Sequence, residues 1–165
     1  VEMNVSESMA TTIDNFDSNV VSSAKMMSDE DYQNLLQIVE AEAGTEDIEG
    51  RIMVANVIMN RVKYNEFPDN VTDVIWEYNN GVAQFSPVED GRISEVTVSR
   101  ETKEAVKQVL EGVDYSKGAL FFIQKSAAAK SNISWFDKNL KRLFKHGVHE
   151  FYTYPDEVLR ENAEN

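Results

Sequence analysis

Glu42 and Glu46, set four positions apart in Val39-Glu40-Ala41-Glu42-Ala43-Gly44-Thr45-Glu46, are the residues whose type and spacing best suit acid–base chemistry. Cutting a glycosidic bond needs an acid that keeps its proton near neutral pH, so that the departing oxygen leaves protonated. A Glu in a partly apolar cleft meets that need, because desolvation disfavours the carboxylate and raises its pKa. A rise from about 4.3 to about 6 corresponds to roughly 2.3 kcal/mol, and general-acid catalysis can then contribute about 10²- to 10⁴-fold. On spacing alone, a solvated glutamate at a helix end is the default reading of Glu42 and the proton donor is the alternative.

His146 and His149, in His146-Gly147-Val148-His149-Glu150, are the only histidines. Two histidines beside a glutamate invite a zinc reading, but the order is neither H-E-x-x-H nor H-x-x-E-H. On one strand, residues three apart face opposite ways and cannot readily chelate one ion. The expectation is no metal and no cofactor, with His149 structural or facing substrate. Gln84, Phe85, Trp135, Phe136, Phe151 and Tyr152 supply aromatic faces and an amide of the kind that hold sugars. Of the aromatics, Phe121, Phe122 and Phe151 read as core, whereas Trp135 sits in a stretch read as a polar loop and is the better groove candidate. Ser86 and Ser94 lack a G-x-S-x-G context, so a nucleophilic triad is set aside.

The elements that must position these groups follow from capping and periodicity. Ser28 before Asp29, Glu30 and Asp31 predicts a helix start, and Tyr32, Leu35, Leu36, Val39 and Ala43 form its apolar stripe. Glu42 falls on the shoulder of that stripe, beside Leu35 and Ile38, and Gly44 ends the helix. Thr45 with Glu46 and Asp47 predicts a second helix start, followed by a wide apolar face from Ile48 to Val62 in which Gly50 marks a close helix crossing. A short helix is expected near Val71–Trp76, a turn at Asn79-Asn80-Gly81, an irregular segment over Phe85–Ile93 and a helix over Ser99–Glu111. Ala119–Ile123 and Val148–Tyr154 read as strands that pair in a small antiparallel sheet.

Composition narrows the partners. The 165 residues suit one compact domain, and 42% hydrophobic content is a globular value. A net charge of −13 argues against nucleic acid and against an anionic membrane surface, both of which need basic patches. No apolar run reaches the roughly 18 residues of a membrane span. Cysteine is absent, which fits an exported bacterial enzyme. No basic n-region or apolar h-region is visible, so an export signal is expected to lie upstream of Val1.

Several segments, in order, resemble the SleB/CwlJ-type cell-wall hydrolase family, which includes the spore cortex-lytic enzymes. Val39–Glu46 is similar to its GEA-x-GE signature, and Glu49-Gly50-Arg51 and Val54–Val62 continue the match. Gln84-Phe85-Ser86-Pro87-Val88-Glu89-Asp90-Gly91, Gly118–Phe122 and Gly147–Tyr152 resemble three further motifs, so the likeness spans about residues 30 to 154. Several ordered matches are far more specific than one. The resemblance implies an α+β, helix-dominated lysozyme-like domain with a small antiparallel sheet, acting on peptidoglycan glycan strands with Glu42 as catalytic acid. The expected layout is a linker or flexible arm over 1–27, a catalytic domain over 28–154 and a charged tail over 155–165. Expected substrate-binding residues are Glu46, Gln84, Phe85, Ser86, Trp135, His149 and Tyr152. One carboxylate suffices for a lytic transglycosylase cutting between N-acetylmuramic acid and N-acetylglucosamine, whereas hydrolysis usually wants a second, for which Glu46 is the candidate. An N-acetylmuramoyl-L-alanine amidase and a non-catalytic wall-binding module are the alternatives. The expected place of action is extracellular or in the cell wall.

Overall fold

The computed structural model describes residues 27–163, so the arm expected over 1–27 lies, but for Met27, outside the described residues. Helix α1 (Asp29–Ala43) starts as capping predicts: the Ser28 hydroxyl accepts the Asp31 amide, with three acids in the first turn. Helix α2 (Ile48–Lys63) starts later than expected. Its cap is Asp47, whose carboxylate accepts the Gly50 amide at 2.7 Å, and Thr45 and Glu46 stay in the connecting turn. An Asp three residues before a free amide outcompetes the Thr, and this leaves Glu46 outside both helices.

The short helix α3 (Val71–Ile75) is followed by a hairpin of β1 (Tyr78–Asn79) and β2 (Val82–Ala83). Its turn residues Asn80 and Gly81 sit at φ 54° and 79°, the left-handed pair that a two-residue hairpin requires. The Phe85–Ile93 segment is more ordered than its composition suggests. It forms a one-turn helix α4 (Ser86–Glu89) and a 3₁₀ turn (Arg92–Ser94), separated by Gly91 at φ 85°. Helix α5 (Arg100–Leu110) then packs on α1 and α2 around a core that includes Leu35, Ile38, Ile52, Ile58, Ala105 and Val106.

Glu40 joins α1 to α5. Its Oε1 accepts the Ser99 amide and hydroxyl, both at 2.9 Å, and the Thr102 hydroxyl at 2.7 Å. Burial alone would raise this carboxyl, but the Ser99 and Thr102 hydrogen bonds outweigh it and hold the pKa below its ordinary value. Glu40→Ala is therefore expected to cost about 1–3 kcal/mol. Because the folded pKa is depressed, that contribution is lost as pH falls through it. Denaturant midpoints at neutral and acid pH check this: the gap between native and variant narrows on acidification.

The second layer contains β3 (Phe121–Ile123), α6 (Lys130–Asn139), β4 (Lys141–His146), β5 (His149–Thr153) and α7 (Asp156–Ala163). The sheet order is β3-β5-β4, with Phe121 opposite Tyr152 in an antiparallel pair. The two strands read from sequence thus pair with each other, and β4 is an addition. Its mostly charged, exposed sequence gives no alternation, as is common on a sheet edge. Helix α6 buries no residue and has no side-chain cap, so neither stripe nor cap announced it. Trp135 therefore stands on a helix, not in a polar loop. The stretch expected as a charged tail carries α7, tied by Lys141 to Asp156 at 3.0 Å and by the Asn162 amide to the Tyr64 hydroxyl.

Three polar residues on one edge of α2 join the layers. Asn56 donates to the Val113 carbonyl at 3.1 Å and accepts the Tyr115 amide at 3.0 Å. Asn60 donates to the Ser116 hydroxyl at 2.9 Å and the Ala119 carbonyl at 2.8 Å, and Arg61 Nε donates to the Leu120 carbonyl at 2.7 Å. The Asn-x-x-x-Asn-Arg spacing puts these groups on adjacent turns, where they catch the chain entering β3. Among the described residues, no helix is long and apolar enough to cross a membrane.

Candidate active site

Glu42 is the last residue but one of α1, and two arginines fix that helix end. Arg51 Nε donates to the Ala43 carbonyl at 3.1 Å and Nη2 to the Gly44 carbonyl at 2.6 Å, while Arg92 Nη1 reaches the Ala41 carbonyl at 3.4 Å. Cations there complement the negative end of the helix dipole. The Glu42 side chain keeps part of its surface open. Among the described residues, no hydrogen bond or ion pair engages its carboxyl. Burial pushes its pKa up to about 7, with Arg92 pulling down and Asp90 pushing up. Near neutral pH, roughly half of the molecules hold a proton on a carboxyl that nothing else occupies. That is the state a general acid needs.

Arg92 organises the ground beside this carboxyl. Its Nε donates to Asp90 Oδ2 at 2.9 Å and its Nη2 to the Ser86 hydroxyl at 3.1 Å. The Arg92 amide and guanidinium hold Asp90 below the usual carboxylate range. Neither Arg92 nor Asp90 had been assigned a role from sequence. The arginine acts on a carbonyl 51 positions away, and nothing local reports that contact.

The expected substrate-binding residues separate into two groups. Gln84 is half-buried and Ser86 exposed, both on the segment leading into α4. Phe85 is 3% exposed, His149 2% and Tyr152 0%. These three are buried and packed into the structure. The Tyr152 hydroxyl donates to Asp137 at 2.7 Å, and Phe85 tilts against Phe122. Trp135 is 49% exposed and stands edge-on to Phe136, which itself packs against the cluster of the sheet. Glu46 meets the hairpin tip: its Oε1 accepts the Val148 amide at 3.0 Å.

The two histidines do not share a strand. They are opposite each other across the β4–β5 turn, with His146 Nε2 2.8 Å from Asp47 Oδ1. His149 points inward against the edge of Phe122, and burial pushes its pKa down. Its Nδ1 is buried without a hydrogen-bond partner. Asp47, Glu49 and His146 bring ligand-type atoms within 4.8 Å of one another at the surface.

A helix-dominated α+β domain with a small antiparallel sheet beside its helices is the architecture of a lysozyme-like domain. Residues 45–152 match the cell wall hydrolase family model, and this chain belongs to that family. Glu42 lies three positions before the matched stretch. Over 119 residues, 72% of the chain, it is 38% identical to a spore cortex-lytic enzyme of Halalkalibacterium halodurans and 34% identical to that of Bacillus subtilis. It spans only about a third of the length of these relatives: 34% and 37%. Among solved structures, it is similar to the catalytic domain of the germination-specific lytic transglycosylase SleB from Bacillus anthracis. The TM-score is 0.64 at 31% identity, covering 76% of this chain and 96% of that one. The catalytic domain of Bacillus cereus SleB matches with a TM-score of 0.62 at 28% identity, covering 77% and 92%. The lysozyme-like fold expected from sequence is the one found.

Proposed function

We propose that this chain cleaves the glycan strands of peptidoglycan between N-acetylmuramic acid and N-acetylglucosamine as a lytic transglycosylase, with Glu42 as its acid. The observation that carries this reading is the Glu42 carboxyl, unpaired and raised to about 7. Glu42 gives its proton to the bridging oxygen as the bond from the muramic anomeric carbon breaks. The oxygen leaves as a hydroxyl on N-acetylglucosamine, and an oxocarbenium-like centre develops. The Glu42 carboxylate then takes the proton of the muramic 6-hydroxyl while that oxygen bonds to the anomeric carbon. An anhydro end forms, no water is consumed, and the acid is restored. The similarity to a protein named as a lytic transglycosylase favours this route over hydrolysis.

On this reading residues 28–154 are the catalytic unit and Gln84 and Ser86 touch the glycan, and the enzyme works in the cell wall. Digestion of purified peptidoglycan followed by fragment mass analysis tests it. The expected products end in anhydro-muramic acid, one water lighter than hydrolysed fragments. Reducing ends would mean hydrolysis, freed stem peptides an amidase, and intact polymer a binding module.

A further inference from the structure

The α1–α2 turn presents two adjacent acids to the tip of the β4–β5 hairpin. Glu46 Oε1 accepts the Val148 amide at 3.0 Å, and Asp47 Oδ1 lies 2.8 Å from His146 Nε2. The approach is close, and glycine stands on both sides of it. A Cβ on Gly147, at φ 58°, would fall 1.9 Å from Glu46 Oε1. One on Gly50 would meet Glu46 Cβ at 3.0 Å and His146 Cδ2 at 3.3 Å, so the close crossing expected at Gly50 is with a hairpin, not a helix. From this tip β5 begins at His149, whose ring lies 5.1 Å from that of Phe122. Phe122 in turn lies 6.0 Å from Phe85. Phe85 immediately precedes Ser86, the hydroxyl that anchors Arg92 beside Glu42.

We propose that Glu46 is a positioning residue: its carboxylate locks the hairpin tip to the turn after the Glu42 helix and so fixes the ring column His149–Phe122–Phe85 against α4. It is not the second carboxylate that hydrolysis would require. One of its oxygens is engaged by a backbone amide, and the helix that carries Glu42 has ended before it. Release of the tip frees the ring column to shift, and with it the segment that holds Arg92.

The distinction is chemical. A glutamine oxygen accepts the same amide hydrogen, but cannot act as base or nucleophile. The activity arm of the test rests on the proposed glycan cleavage, while an exchange arm does not. Glu46→Gln and Glu46→Ala are compared with the native chain for hydrogen exchange of the Val148 amide and for release of anhydro fragments. Glu46→Gln is expected to keep Val148 exchange and cleavage rate within about 3-fold of native, with the same anhydro ends. Glu46→Ala is expected to speed Val148 exchange about 10-fold or more, consistent with loss of a charge-assisted hydrogen bond. It should also lower the turnover rate, and Glu46→Gln should restore it. Loss of cleavage in Glu46→Gln with Val148 still protected would overturn the proposal, because it would make the carboxylate itself chemical. So would unchanged Val148 exchange in Glu46→Ala. Should the native chain cleave no glycan, the exchange arm still decides whether the clamp exists. Should Glu46→Ala fail to fold, the Gln variant decides alone.

Discussion

Glu42→Gln is expected to abolish release of anhydro fragments, a loss of at least about 10²- to 10⁴-fold in rate, while making the folded chain more stable above neutral pH. Both effects come from one cause. Burial holds the carboxyl at about 7 in the folded chain against an ordinary 4.5. Between those values the native state binds more protons than the unfolded state, so stability falls as pH rises. Above about pH 7 the full penalty is present, at most about 3.4 kcal/mol at 1.36 kcal/mol per pKa unit. The amide carries no charge and escapes it. Denaturant unfolding at pH 4 and pH 8 should show the two proteins alike in acid and the variant ahead in base.

The same raised pKa predicts the pH profile of the proposed cleavage. Only the protonated acid can donate, so kcat/KM falls on the basic side with a midpoint near 7. Arg92 and Asp90 face the carboxyl from the 3₁₀ turn and the end of α4, and Asp90 is held ionised by Arg92. Asp90 stays ionised through that window, so the limb reports Glu42. A variant that stays active, or one no more stable at pH 8, would remove Glu42 from the role of acid.

Arg61→Ala is expected to be the most destabilising single change away from the site, by about 3–5 kcal/mol. Arg61 is 4% exposed, and its guanidinium lies 4.6 Å from the Phe67 ring centroid and 5.0 Å from those of Phe85 and Phe121. Truncation strips a cation from three ring faces and leaves the Leu120 carbonyl without its donor. It also deprives Glu77, whose Oε1 is buried without a hydrogen bond, of the opposite charge beside it. Burial lowers the arginine to about 10, so it is still a cation at neutral pH. Thermal unfolding should show a fall of about 10 °C or more. Arg61→Lys keeps a charge but not the flat, stackable group, and an intermediate loss is expected. A drop below about 1 kcal/mol for Arg61→Ala would mean that the rings hold together without it.

Elements with strong local chemistry were legible. The Ser28 cap, the acids of its first turn and the 3.6-residue stripe gave α1 almost to the residue, and with it the height of Glu42 on the helix. The Asn80-Gly81 turn and the β3–β5 pair followed from backbone preference and alternation. Elements held mainly by tertiary contact were not. β4 is charged and α6 buries nothing, so neither carries a period in its sequence.

The site divides along the same line. That Glu42 stands at the end of an amphipathic helix is a local fact, fixed by residues within one or two turns. That its carboxyl is partly desolvated, and that Arg51 and Arg92 grip the carbonyls around it, depends on chain 7 to 51 residues away. The burial of Phe85, His149 and Tyr152, and the contact of Glu46 with a hairpin tip 102 residues distant, have no local signal either. The sequence by itself determined on which element Glu42 stands and where along it, because helix capping and periodicity are short-range. Only the tertiary structure decided which neighbours are walls, clamps or open surface, because desolvation and hydrogen bonding act through space between segments with no local signature.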